Sequence, residues 1–318
     1  MRLTSREKEI AEVLKKEPLI SQDDLAQRLK ITRSSVAVHI SNLLKKGILL
    51  GKGYVFNQQV SMVVVGECCV NISIKTEKEN SIDINDGGFA ISVSEALARF
   101  GIYVKLISIL ANDDIGNRLL SRLQAHNIDI SNIYHHASKR SCRLVSVDDI
   151  FVYREGYSYK EYEKAIEAKN WIAFNCEWLI VEDQFQELIY KRMLTKDDNL
   201  PRFCTCKYIN CPQDIPDYLG QFDLVVIGLD SFEQINDYTS RFTQMLKKSD
   251  QYFVITDGKT GITCINNTGV SDYSMLPNQN FSVRSKLPLL LAGVIYGLSS
   301  GYPLRQAFRI GAGTASTS

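Results

Sequence analysis

Several things are scarce in this chain. Seven prolines in 318 residues exclude a collagen-like or proline-rich extended protein. The longest apolar run, Leu287 to Leu298, is interrupted by Pro288, Gly293 and Gly297. It falls well short of the roughly 20 residues that a membrane-spanning helix needs. No apolar leader opens the chain, since Met1 to Lys16 is a charged helical pattern. The eight cysteines therefore stand without an export signal and read as reduced thiols of a cytoplasmic protein. A net charge of +1 gives no global field. What is present is ordinary globular material, 45% hydrophobic and 23% charged, enough for about two domains. Residues 1–60 hold eleven Lys/Arg against six Asp/Glu, and the rest hold 26 against 30. A basic module is thus aimed at a polyanion.

That module has legible parts. Thr4 to Glu7 fits a capping box, and Ile10, Val13 and Leu14 recur at helical spacing. Pro18 stops the first helix. Ser21 caps a second, with Leu25, Ala26 and Leu29 as its buried stripe. After a turn at Lys30-Ile31, Thr32 caps a third helix with Val36, Ile40, Leu43 and Leu44 on one face, ended by Gly47. Ile48 to Leu50, the tight Gly51-Lys52-Gly53 and Tyr54 to Phe56 read as a β-hairpin. Three short helices followed by a hairpin resemble a winged helix-turn-helix, over residues 1–57. In such modules the third helix enters the major groove of double-stranded DNA. Arg33 is the leading candidate for a base or phosphate contact. Ser34 and Ser35 suit phosphate oxygens at a helix start. Ala37, His39 and Asn42 lie off the apolar stripe, and Lys45, Lys46 and Lys52 suit the backbone.

From Ser61 the pattern changes. Strand-length apolar runs appear at Met62–Val65, Val104–Ile109, Trp178–Val181, Leu224–Ile227 and Tyr252–Ile255, alternating with helical stretches such as Ser92 to Arg99 and Ile115 to Gln124. This predicts βαβ units and a mostly parallel sheet with helices on both faces. Asn57-Gln58-Gln59 is the expected linker. Six stretches then stand in one order. They are Val65-Gly66 before Val70-Asn71-Ile72; Gly87-Gly88-Phe89-Ala90 leading to Glu95–Gly101; Asn112–Gly116; Asn127–Ser131; Thr256–Gly261; and Leu291–Leu298. Together they resemble the ribokinase-like (PfkB) carbohydrate kinases over residues 61–318, and the fusion resembles the branch that includes pseudouridine-kinase-like proteins. The resemblance implies an α/β ribokinase-like fold, a lid that pairs two subunits, and further helix and strand beyond Ser318. It places the lid near Ile82 to Asp86 and Arg143 to Val147. It also implies a ligand pocket at Asn71, Gly87, Gly88 and Ser92, and nucleotide-side residues at Asp257, Gly258 and Gly261.

The family's Gly-Ala-Gly-Asp falls on Ser285-Lys286-Leu287-Pro288. In that motif the helix-start N–H groups hold the transferring phosphoryl group and the Asp is general base. Here both glycines are gone and Pro288 stands at the catalytic position, where proline is readily accepted in a first helical turn. The family's Asn-x-x-Glu falls on Gly228-Leu229-Asp230-Ser231, its early Asp on Asn71, and its Asn after the Gly-Gly pair on Ser92. The expectation is a regulator with no catalytic residue, no metal and no cofactor. It binds DNA and a small sugar, nucleoside or phosphorylated effector, and acts as a homodimer off the membrane. The alternative is an active ATP- and magnesium-dependent kinase that regulates its own gene, with Asp257 or Asp230 as substitute base.

Other signals carry less. Cys204-Thr205-Cys206 with Cys211 lacks a fourth metal ligand and alternates as a strand would. Cys68-Cys69 reads as apolar filling or a chance surface thiol, His135-His136 as a surface pair in a loop, and Asp148-Asp149 as a hairpin turn. Tyr157, Tyr159 and Tyr162 read as a helix start with one aromatic face.

Overall fold

The computed structural model describes residues 4–17, 20–45, 49, 60–76, 80–148, 150–195, 200–210 and 215–317. The chain divides into two compact units, Met1–Val60 and Ser61–Ser318.

The first unit contains α1 (Ser5–Lys16), α2 (Gln22–Leu29) and α3 (Arg33–Lys45). The capping box at its start is complete: Glu7 N–H donates to Thr4 Oγ1 at 3.2 Å, and Thr4 N–H to Glu7 Oε2 at 2.7 Å. Ser21 caps α2 through Asp24 N–H, and Thr32 caps α3 through Ser35 N–H, both at 3.1 Å. Lys30 ends α2 in the left-handed region at φ 53°. Ile10, Leu14, Leu25, Val36 and Leu43 close the core. Leu44 departs from the expected buried stripe. It follows Leu43 by about 100° around the helix and is 41% exposed. The expected hairpin lies outside the described residues except for Leu49, which is buried in the same core.

The second unit runs through β1 (Val60–Val65), β2 (Cys69–Lys75), β3 (Ser81–Gly87), α4 (Phe89–Arg99), β4 (Val104–Ile107), β5 (Ile109–Ala111) and α5 (Asp114–Ala125). Next come β6 (Tyr134–His136), β7 (Cys142–Val147), β8 (Ile150–Glu155), α6 (Tyr159–Ala168), α7 (Asn170–Ala173), β9 (Cys176–Val181) and α8 (Gln186–Met193). It ends with β10 (Arg202–Tyr208), β11 (Leu224–Gly228), α9 (Ile235–Met245), β12 (Tyr252–Thr256), β13 (Gly261–Asn266), β14 (Gly269–Ser274), α10 (Val283–Ser299) and α11 (Leu304–Ser316).

The main sheet has the order β14-β13-β12-β11-β10-β9-β1-β4. The pairs β1–β4, β9–β10, β10–β11 and β11–β12 are parallel, while β13 and β14 add an antiparallel edge. Its strands are continuous apolar runs because both faces are covered. Met62, Val64, Ile180, Val226 and Val254 join the cluster of α4, α10 and α11. On the other face Phe203 meets Phe174 and Phe222, and Phe253 meets Phe242. The run Val104–Ile109 is not one strand. It breaks at buried Ser108, whose carbonyl accepts Tyr134 N–H at 2.9 Å as the chain leaves β4 for the β5–β6 pair.

A second sheet of order β3-β2-β7-β8 stands apart from the first. Both expected lid segments are strands of it. Cross-strand partners share a face, so the pairs Ile74–Ile82, Ile72–Ile84, Ile72–Val145 and Val145–Tyr153 build one apolar face. Ile82, Ile84 and Tyr153 on it are 66%, 59% and 58% exposed. The opposite face carries Asn71, Ser73, Ser146 and Arg154. Asp148 makes the turn between β7 and β8 at φ 49°. Among the described residues no helix is long and apolar enough to cross a membrane.

Candidate functional site

In the first unit, the exposed side of α3 is formed by Arg33, Ser34, Ala37, Val38, Ser41 and Leu44. The Arg33 guanidinium lies 3.5 Å from Asp23, both side chains being about two-thirds exposed. Water screens such a pair, so the guanidinium is readily released to another anion. The Thr32 hydroxyl is 2.9 Å from that of Ser34 and 2.8 Å from that of Ser35. His39 and Asn42 are half-buried on the flank of the helix. His39 Nδ1 is buried and has no hydrogen-bond partner among the described residues. Lys45 closes α3, and Lys46 and Lys52 lie outside the described residues.

In the second unit, the carboxyl ends of the parallel strands carry the polar groups, as open α/β sheets require. Asn71 of β2, Gly87 of β3, Gly88 and Ser92 are brought together. Gly88 caps α4 at φ 96°, and a Cβ there would meet the Glu67 carbonyl at 2.4 Å, so only glycine fits. Ser92 N–H donates to Gly88 O at 3.1 Å in the first turn of α4. The Asn71 amide lies against Gly87, and Cys69 Sγ–H donates to Asn71 Oδ1 at 3.4 Å.

Sequence reasoning missed the charged centre of this region. Glu67 is buried and accepts from Arg154 of β8 at 2.5 Å and from the Tyr162 hydroxyl at 3.3 Å. Its own N–H donates to Glu182 Oε2 at 2.6 Å. Glu182 follows β9 and keeps an edge in solvent, yet protein crowds its carboxyl. Desolvation first, and the Glu67 charge second, push it up to about 8. The available signal was position: the carboxylates Glu182-Asp183 directly after the apolar run Trp178–Val181. Arg154 ties the second sheet to the segment after β1, and Asp86 of β3 ties it to Arg118 of α5 at 2.6 Å.

The positions matching the phosphate motifs have a different chemistry. Ser282 caps α10, so Pro288 is the sixth helical residue and not part of the first turn. This corrects the expectation above. Lys286 N–H is already taken by Ser282 O at 2.8 Å and Ser285 N–H by the same oxygen at 3.3 Å. Proline has no N–H to offer. The tight approach of α10 to β11 fills the place: a Cβ on Gly228 would lie 2.9 Å from Val283. Asp230 accepts from Tyr208 and from Arg284 at 2.5 and 2.7 Å, with the guanidinium over the Tyr208 ring. The Tyr208 bond, then that of Arg284, hold Asp230 below the usual carboxylate range. Asp257 is buried, which alone would raise it, but N–H groups of Lys259 and Thr260 and the Thr260 hydroxyl bond it and hold it low. Gly258 N–H goes to Thr256 Oγ1 and Thr256 O–H to Gly261 O. The N–H groups of Ser285, Lys286, Lys259 and Thr260 are thus all engaged within the chain, and both carboxylates are held below their ordinary range.

The remaining signals have structural explanations. Cys204 and Cys206 are buried in β10, Cys68 and Cys69 are buried, and Cys211 lies outside the described residues. Desolvation pushes the Cys68 thiol up to about 12. No group of three or more His, Cys, Asp or Glu among the described residues could hold a metal ion. His136 is no loop residue. It lies in β6, with Nε2 2.9 Å from Glu161.

The geometry is that of a sugar-kinase-type α/β domain behind a helix-turn-helix. Comparisons with known proteins agree. A model of the pfkB family carbohydrate kinases matches residues 59–281, and one of winged helix-turn-helix DNA-binding domains matches residues 3–49. The chain belongs to the pfkB family of carbohydrate kinases and carries a winged helix-turn-helix domain ahead of it. An uncharacterized sugar kinase of Escherichia coli K12, YeiI, is 34% identical over 139 residues, 41% of this chain. The chain covers only 38% of that relative's length. A PfkB protein from Polaromonas sp. JS666 superposes with a TM-score of 0.64 at 16% identity, over 81% of this chain and 95% of that one. Ribokinase from Thermotoga maritima gives 0.61 at 13%, over 81% and 92%. These two likenesses show the ribokinase-like fold.

Proposed function

We infer that this chain is a cytoplasmic transcriptional regulator. Its kinase-like domain binds a sugar, nucleoside or phosphorylated derivative without phosphorylating it. The observation that carries the reading is the start of α10, where Pro288 sits inside the helix and the neighbouring N–H groups are engaged. A positioned base is worth about 10²–10⁴-fold in rate and one anion-hole donor about 10²–10³-fold. Losing both removes most of a kinase's turnover. The ligand region is still polar, with Glu67 and Glu182 just after β1 and β9, Asn71 in β2 and Tyr162 of α6, so a binding role outlives the chemistry.

Two copies pair through the apolar face of the second sheet, where Ile82, Ile84 and Tyr153 are exposed. A dimer sets two recognition helices on half-sites about 34–36 Å apart. Effector binding changes DNA affinity to the extent that the two conformations differ in effector affinity.

Gel-shift titration of the full chain against its upstream DNA, with a panel of sugars and nucleosides, tests this. A shift altered by one of them supports the reading, and no shift with any DNA at low salt overturns it. Calorimetry with magnesium–ATP is expected to show no binding. Phosphate transfer from ATP, abolished by Asp257→Ala or Asp230→Ala, makes the chain an autoregulatory kinase instead.

A further inference from the structure

The outward side of α3 is unusual for a helix expected to read base edges. From Arg33 to Leu44 its exposed residues are Arg33, Ser34, Ala37, Val38, Ser41 and Leu44. Between the arginine at one end and the leucine at the other there is no Asn, Gln, Lys, Glu or Asp. The one amide, Asn42, is turned to the flank and half-buried. Val38 on this side is 58% exposed, more than Leu44 at 41%. Val36, two residues earlier and on the opposite side of the helix, is fully buried. The surrounding residues 1–60 carry eleven basic against six acidic groups. A polyanion is therefore the occupant that fits this face, not a second apolar protein surface.

We propose that α3 reads its operator chiefly through thymine methyl groups, with Ala37 and Val38 as the specificity-determining residues and Arg33 fixing one flanking guanine or phosphate. In the major groove thymine is marked by its C5-methyl, which an apolar side chain contacts directly. Ser34, Ala37, Val38 and Ser41 occupy two turns, about 11 Å of helix. That length spans about three base-pair steps of 3.4 Å. Ala37 and Val38, adjacent in sequence and both outward, then face neighbouring methyls at the centre of the half-site. The short hydroxyls of Ser34 and Ser41 accept or donate to either flanking pair. This inference rests on the DNA-binding reading above.

The test uses the full chain and a random duplex library. Sequences enriched by binding are expected to share a thymine-rich step in each half-site. Each shared thymine is then replaced by deoxyuridine, which removes the methyl and leaves the hydrogen-bonding edge intact. Affinity, read by fluorescence anisotropy, is expected to fall about fourfold per methyl, the ratio for one buried methylene-sized group. In Val38→Ser the thymine and deoxyuridine duplexes should bind alike at one position. Val38→Thr, which keeps one methyl, should retain part of the difference. Val38 is exposed, so both variants should melt within a degree or two of the parent, and Val38→Thr still reads the effect if Val38→Ser does not fold. Binding that is indifferent to deoxyuridine at every position overturns this inference and leaves the regulator reading standing. No enrichment at low salt overturns the DNA-binding reading itself.

Discussion

Glu182 offers a direct measurement of the charged centre beneath the second sheet. Desolvation, then the Glu67 carboxylate, raise its pKa from the ordinary 4.5 to about 8. In the folded chain the carboxyl therefore holds a proton over an interval in which the unfolded chain has lost it. Stability falls wherever the folded state binds the extra proton. The contribution is fully present below 4.5, declines as pH rises, and is gone above about 8. Each pH unit costs up to about 1.4 kcal/mol. Because one edge of Glu182 meets solvent, screening reduces the total to on the order of 2 kcal/mol. Glu182→Gln keeps an acceptor for Glu67 N–H and removes the titration. Trp171 and Trp178 are the chain's two tryptophans, so urea melts followed by their fluorescence report the larger unit alone. The gap between variant and parent should widen in the variant's favour from pH 5 to 8 and then stay constant. With a urea slope of about 2–3 kcal/mol/M the midpoint gap reaches close to 1 M. A gap that does not change across pH 5 to 9 refutes a proton held by Glu182. Glu67→Gln should move the whole decline to lower pH.

Other outcomes follow from the same contacts. Arg154→Met strands the buried Glu67 carboxylate. Breaking a buried pair costs about 3–5 kcal/mol, reduced to about 2 because the Arg154 side chain is 36% exposed. Adding Glu67→Leu should recover most of that loss in urea melts, and no recovery would argue against the pair as the cause. Pro288→Asp alone should leave ATP-dependent phosphate transfer undetectable, since the Lys286 and Ser285 N–H groups stay engaged. Transfer in a coupled assay would show those donors to be dispensable. Thr4→Ala should destabilise the first unit by about 1 kcal/mol through its lost capping box, read as faster amide exchange in α1 with α10 unchanged.

Local signals were readable where neighbours in sequence decide the outcome. Thr4, Ser21 and Thr32 cap helices because their hydroxyls reach N–H groups three residues on, and the buried β-runs declared themselves by unbroken Val, Ile and Leu. Leu44 misled because a helix stripe has edges that only packing defines. The second sheet was located only by resemblance, because half-exposed strands such as β3, reading Ser-Ile-Asp-Ile-Asn-Asp-Gly, lack a continuous apolar run. Glu67 and Arg154 are 87 residues apart, and no local pattern joins them. Pro288 was placed in a first helical turn because proline is favoured there, whereas Ser282 starts α10 six residues earlier and packing against Gly228 holds the extra turn.

The Thr256–Gly261 turn has a consequence in terms of competition. Its N–H groups at Lys259 and Thr260 are held by a carboxylate from Asp257, two and three residues away. A free phosphate ester must displace a rival that never diffuses off. Even short flexible tethers give effective concentrations of about millimolar, and this one is shorter and already bonded. Any anion that approaches this turn therefore competes with Asp257 for the Lys259 and Thr260 N–H groups.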